Sequence, residues 1–186
     1  MISDFLVERF LFFPLKVLEF YPSQFDLSFE DIRFKNREGL TLHGWFFPGH
    51  HPQKTLLFLH GNAVNIGDRL EKIKLLSQIG WNIFIFDYRG FGGSEGRPTI
   101  AGLLEDGHAA VSFLRETRSL TNKQIVLWGE SLGGAMAVEL ASEEPFAAVI
   151  LESTFTSLRE IAHAHYPFLP NAVVPDELRS IEKIRG

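Results

Sequence analysis

Four short runs, LLFL (56–59), NIFIF (82–86), IVLWG (125–129) and AAVIL (147–151), are apolar almost throughout instead of alternating with polar residues. A strand without a polar face must be covered on both sides, which is the situation of parallel strands sandwiched between helices. The intervening segments have helical spacing. Leu70, Ile73, Leu76 and Ile79 recur every three residues before Gly80, with Asp68 read as the cap, and Ile100, Leu103, Leu104, Val111 and Leu114 follow Thr99. Strand alternating with helix predicts an α/β fold with a doubly wound, mostly parallel sheet. Ahead of it, Phe29–Lys35 alternates apolar and polar, NREG turns, and Leu40–Pro48 returns, which predicts an N-terminal antiparallel hairpin.

At 186 residues the chain suffices for one domain with a sizeable core, assigned here to 29–186. A net charge of −5 without a Lys/Arg cluster argues against a nucleic-acid partner. The absence of cysteine removes disulfides, thiol nucleophiles and thiolate metal sites. Residues 1–28 form an aromatic-rich segment whose charges at Asp4, Glu8, Arg9, Lys16 and Glu19 cut it into runs too short for a membrane span. It lacks the basic start and small-residue cleavage site of a secretory signal. The first reading is an amphipathic segment packed on the body of a cytoplasmic protein; the alternative is peripheral contact with a membrane or lipid.

Gly129-Glu130-Ser131-Leu132-Gly133 fits G-x-S-x-G at the junction of IVLWG and a run of small residues. Such a turn forces the serine into a strained backbone conformation, requires glycine on both sides, and lifts the hydroxyl above the sheet at a helix N-terminus. Ser131 is therefore the candidate nucleophile. The backbone N–H of Leu132 is one oxyanion donor; the loop after FLHG supplies a second, Asn62 first and Ala63 next. His60 ends a buried strand and reads as structural.

LHGNAVNIGDR, FDYRGFGGSEGRP, WGESLGGAMA and LESTFTS, in that order, resemble the α/β-hydrolase superfamily, in a branch similar to serine aminopeptidases and monoacylglycerol lipases. The resemblance runs from about Phe29 to Gly186. It implies a Ser-Asp-His triad and no cofactor or metal, with Ser131 at the nucleophile position and Asn62 and Leu132 at the oxyanion-hole positions. In this fold acid and histidine follow the serine, each after a further strand. SIEKIRG resembles the approach to the first of those strands, so the fold is expected to be C-terminally incomplete. Stand-ins within the chain are Glu152 for the acid and His165 for the base, although His163 and His165 each read first as surface or cap residues, and Asp176 reads as a solvated helix cap.

Other constellations are read as structural. The loop at Gly90–Gly96 fails the dinucleotide fingerprint because Glu95 stands where glycine is needed. Asp87 and Arg89 read as its anchors, Arg89 through an internal ion pair. His43, His50 and His51 lack a carboxylate at zinc-motif spacing, and Glu130 reads as scaffolding that faces away from the hydroxyl. The expectation is a serine hydrolase acting on small-molecule carboxylic esters, acylglycerol-like or small, through an acyl-enzyme on Ser131. Its rival is a truncated, catalytically incompetent remnant or binding module. Amide cleavage is disfavoured because nothing marks a pocket for a free amine.

Overall fold

The computed structural model describes residues 11–160 and 178–184. In chain order the elements are β1 (Phe13–Pro14), β2 (Glu30–Lys35), β3 (Thr41–Phe47), β4 (Thr55–Leu59), β5 (Ala63–Val64), α1 (Leu70–Ser77), β6 (Asn82–Phe86), α2 (Ile100–Arg118), β7 (Ile125–Glu130), α3 (Leu132–Glu143), β8 (Ala148–Glu152) and α4 (Ser180–Ile184). Six strands make one sheet in the order β2-β3-β6-β4-β7-β8. The β2–β3 and β3–β6 pairs are antiparallel, whereas β4 is parallel to both β6 and β7, and β7 to β8. The expected α/β architecture, mostly parallel with an N-terminal hairpin, is what forms.

The pleat sends alternate residues of each strand to opposite faces. Leu56, Phe58, Ile83 and Ile85 pack with Leu70 and Ile73 of α1 on one side. On the other side Leu57, Leu59, Phe84, Phe86 and Leu127 pack with Leu103, Ala110 and Leu114 of α2 and Ala135, Met136 and Leu140 of α3. This double covering explains the lack of polar alternation in the sequence. From β4 the chain passes through α1 to β6 on one flank, and β7 then joins β4 on its other flank. Strand order thus reverses at β4, and the crevice beyond the carboxyl ends of strands at such a reversal is where open α/β sheets bind ligands.

Two local expectations meet different outcomes. Thr99 caps α2, its side chain accepting from the Gly102 N–H at 3.0 Å. Asp68, in contrast, is not the cap ahead of α1. A 3₁₀ turn, Ile66–Arg69, precedes that helix, and Asn65 caps the turn by accepting from the Gly67 N–H at 2.9 Å. The sequence pattern hid this because a 3₁₀ turn adds a helical turn without the apolar period of an α-helix.

Residues 11–17 form a strap, extended from Phe12 onward. Phe12 is buried and meets the Phe91 ring edge-on, while Phe13, Leu15 and Val17 are exposed. β1 pairs in parallel with β5, Phe13 opposite Ala63 and Pro14 opposite Val64. No helix among the described residues is long and apolar enough to cross a membrane. At the far end of the sheet β8 pairs with β7 alone among the described residues, and its Val149 is exposed.

Candidate active site

Ser131 sits between β7 and α3 with φ 52° and ψ −114°, a conformation that a residue with a β-carbon adopts only under constraint. The constraints are visible. A β-carbon built on Gly129 would lie 2.3 Å from the Gly133 carbonyl oxygen, and one on Gly133 would lie 1.9 Å from the Leu59 carbonyl oxygen. The Ser131 N–H donates to the Glu152 carbonyl at 2.9 Å, and its own carbonyl accepts from Thr154 Oγ1 at 2.9 Å. The residue is half-buried, and among the described residues nothing hydrogen-bonds its hydroxyl. Leu132 opens α3, where the first N–H groups of a helix have no partner within it.

The loop after β4 meets this turn directly: a β-carbon on Gly61 would lie 3.6 Å from that of Ser131. Asn62 is committed to the strap, its Nδ2 donating to the Leu11 carbonyl at 2.7 Å and its carbonyl accepting from the Phe13 N–H at 2.9 Å. Its backbone N–H has no hydrogen-bond partner among the described residues. Ala63 lies in β5, and Val64 has φ 61°, an outlier for a β-branched residue. His60 is fully buried, bonded through Nδ1 to the Gly61 carbonyl at 2.8 Å and packed on the Tyr88 and Phe91 rings. Burial pushes its pKa down to about 4, the nearby Asp87 opposing only in part, so its ring is neutral at pH 7. That is the structural role expected of it.

A cluster of charges lies beside the serine at the ends of β7 and β8. Lys72 on α1 reaches Glu130 at 2.5 Å and Glu152 at 2.8 Å, and Arg69 reaches Glu130 at 3.1 Å. Trp128 Nε1 donates to the other Glu152 oxygen at 3.0 Å. Hydrogen bonding from Lys72 holds the Glu152 carboxyl below its usual range, outweighing burial, with Trp128 adding to it. Burial disfavours the Lys72 charge, yet the two carboxylates outweigh it and raise its pKa. Glu130 is scaffolding, as its place in the sequence indicates. Glu152 is bound by an ammonium and an indole, and no imidazole reaches it among the described residues. His163, His165 and Asp176 lie outside the described residues. Lys72 was not singled out by its sequence, since no motif marks it; it matters only where three element ends converge.

The flanking loop is anchored as expected. Buried Asp87 accepts from the Ile66 N–H at 3.0 Å and the Gly93 N–H at 3.3 Å. Arg89 pairs with buried Asp106 at 2.9 Å and with Glu38 at 3.0 Å. His43 has carboxylate partners in space that its sequence neighbourhood does not announce: Asp31 at 2.7 Å and Asp87 at 3.6 Å. His50 and His51 are exposed. Among the described residues no three His, Asp or Glu side chains are grouped to hold a metal.

A family model described as serine aminopeptidase, S33, matches residues 50–176. An uncharacterized protein of Mycobacterium tuberculosis is 40% identical over 159 residues, an alignment covering 83% of this chain and 56% of that protein. The Arabidopsis thaliana α/β hydrolase domain-containing protein WAV2 is 39% identical over 154 residues, covering 80% and 50%. Protein bem46 of Schizosaccharomyces pombe is 33% identical over 180 residues, covering 88% and 60%. The chain therefore spans about half the length of these relatives. Among solved structures, a Pyrococcus furiosus esterase superposes with a TM-score of 0.75 at 21% identity, covering 93% of this chain and 73% of that one. An α/β hydrolase from Vibrio vulnificus does so with a TM-score of 0.72 at 22% identity, covering 85% and 59%.

Proposed function

The chain belongs to the serine aminopeptidase S33 family of the α/β-hydrolase superfamily, and from that premise we propose that it is a serine hydrolase of carboxylic esters, acylglycerol-like or small, working through an acyl-enzyme on Ser131. The observation that carries the reading is the strained turn at Ser131, half-exposed at the start of α3 and in contact with the loop that bears Asn62. The Ser131 hydroxyl attacks the ester carbonyl while a base takes its proton. Negative charge grows on the carbonyl oxygen, and the backbone N–H groups of Leu132 and Asn62 stabilise it, each worth on the order of 10²–10³ in kcat. The alcohol then leaves, and water hydrolyses the acyl-enzyme to regenerate the serine.

One observation favours a second reading, a non-catalytic binding module: among the described residues no histidine meets Ser131, and Glu152 is occupied by Lys72 and Trp128. The deciding experiment treats the purified chain with an aryl phosphonate and locates the adduct by peptide mass spectrometry, alongside hydrolysis of short- and long-chain nitrophenyl esters. The hydrolase reading expects an adduct on Ser131 and ester turnover, both lost in Ser131→Ala. Labelling that persists in the variant would defeat it, and no adduct with no turnover would leave the binding module.

A further inference from the structure

We propose that residues 11–17 clamp the oxyanion loop, residues 61–65, in its working shape, and that Asn65 is the positioning residue joining the two. The inference rests on the reading of Ser131 and the Asn62 N–H as an acyl-transfer site.

Beyond the buried Phe12, the strap is held through its backbone. Besides the two bonds at Asn62, the Leu15 N–H donates to the Val64 carbonyl at 3.1 Å. The Asn65 side chain, buried to 1% exposure, donates from Nδ2 to the Leu15 carbonyl at 3.1 Å and the Val17 carbonyl at 2.8 Å. The same segment reaches the neighbouring loop: the Gly92 N–H donates to the Leu15 carbonyl at 3.1 Å, and Lys16 Nζ to the Ser94 carbonyl at 2.6 Å. Meanwhile the side chains of Phe13, Leu15 and Val17 point to solvent. Phe12 is the buried exception, set edge-on against Phe91, so the segment is anchored by one aromatic side chain at its start and by backbone hydrogen bonds from Phe13 to Val17.

The loop it holds is strained. Val64 keeps φ 61° while paired with Pro14 in the β1–β5 ladder, and such a conformation persists only where the surroundings over-determine it. Two residues earlier stands Asn62, whose carbonyl and side chain are both fixed by the strap and whose N–H is thereby aimed. Oxyanion donors act over a few tenths of an ångström, and a displacement of about 1 Å costs on the order of 10² in rate. Freed from the strap, the Val64 strain has a route to relax, and it would carry the Asn62 N–H with it.

Asn65→Asp isolates the clamp. The aspartate keeps an oxygen for the Gly67 N–H, so the cap of the 3₁₀ turn survives, but it replaces the donor to Leu15 and Val17 with an oxygen that their carbonyls repel. Phe13→Pro is the second variant: it deletes the N–H bonded to the Asn62 carbonyl at a position whose side chain is 54% exposed. In the full chain, amide exchange of 61–66 should accelerate about tenfold or more in both variants while β4 and β7 keep their protection. The saturating rate of Ser131 phosphonylation should fall about tenfold or more with the inhibition constant within about threefold. If Asn65→Asp does not fold, Phe13→Pro decides alone. Unchanged exchange or an unchanged phosphonylation rate, in a wild-type background that labels, overturns the clamp and leaves the hydrolase reading standing. A wild type that does not label at all overturns both.

Discussion

Gly133 has no room for a β-carbon, and the reason is the backbone at the end of β4. The position 1.9 Å from the Leu59 carbonyl oxygen is also 2.7 Å from that of His60, so the first turn of α3 rests directly on the end of β4. Neither carbonyl is a flexible side-chain tip that can swing away. Gly133→Ala is therefore expected to cost at least the upper end of core overpacking, about 3 kcal/mol, which corresponds to a Tm drop of roughly 6–12 °C for a chain of this size. Gly39→Ala is the control. It meets nothing within 4 Å and bears only the strain of φ 82°, about 1 kcal/mol. Thermal melts showing equal shifts for the two variants would mean that α3 can retreat from β4. The glycines around Ser131 were legible in the sequence because the motif itself encodes a steric demand. Val64 was not, because a β-branched residue at positive φ runs against the local preference that sequence reading relies on.

Three elements end at one ammonium: Lys72 of α1 joins the last residue of β7 to the last residue of β8. Glu152, whose pKa is depressed in the folded chain, contributes stability above the ordinary carboxylate range, and that contribution is lost as pH falls through its lowered value. Both side chains are about a third exposed, so the contribution at pH 7 is about 1 kcal/mol or less. Lys72→Met is expected to release Glu152 toward its ordinary pKa, giving a shallower loss of stability between pH 5 and pH 3 in urea titrations. A slope identical to wild type would mean that Lys72 does not hold the carboxylate. Glu130 keeps Arg69 in the variant, so the turn is not left with an unpaired charge. The elements themselves were read well from sequence where burial is two-sided, at 56–59, 83–86 and 125–127; 148–152 was read from its apolar run as well, although its outer residues Ala148 and Val149 are exposed. The cluster was not, since its members stand 58 and 80 residues apart. The N-terminal segment was expected to pack on the domain, but its pairing with residues 62–65 was hidden, because its anchors are backbone N–H and carbonyl groups that nearly every residue possesses.

Across the whole molecule two buried histidines pull stability in opposite directions, with Asp87 near both. His60 is neutral in the folded chain with a pKa of about 4; unfolded, it titrates near 6.5. Its contribution is present above pH 6.5 and is lost as pH falls toward 4, by about 3 kcal/mol. His43, joined to Asp31 on β2 and facing Asp87 after β6, behaves the other way. Burial opposes its charge, but Asp87 and Asp31 outweigh burial and raise its pKa. The stability it gives is full below pH 6.5 and is lost as pH rises through that raised value. Urea midpoints measured from pH 4 to pH 9 should therefore fall on both sides of an intermediate optimum. His60→Asn should flatten the limb between pH 6.5 and pH 4, and His43→Gln the limb on the alkaline side, each at some cost in packing that shifts its curve down without restoring the slope. The Lys72–Glu152 tie acts lower in pH than most of the His60 range, so the variants separate the two causes of acid sensitivity. Parallel acid limbs for wild type and His60→Asn would show that the buried ring at the end of β4 takes up its proton without opening the fold. The neutral imidazole could not then be the source of the acid limb.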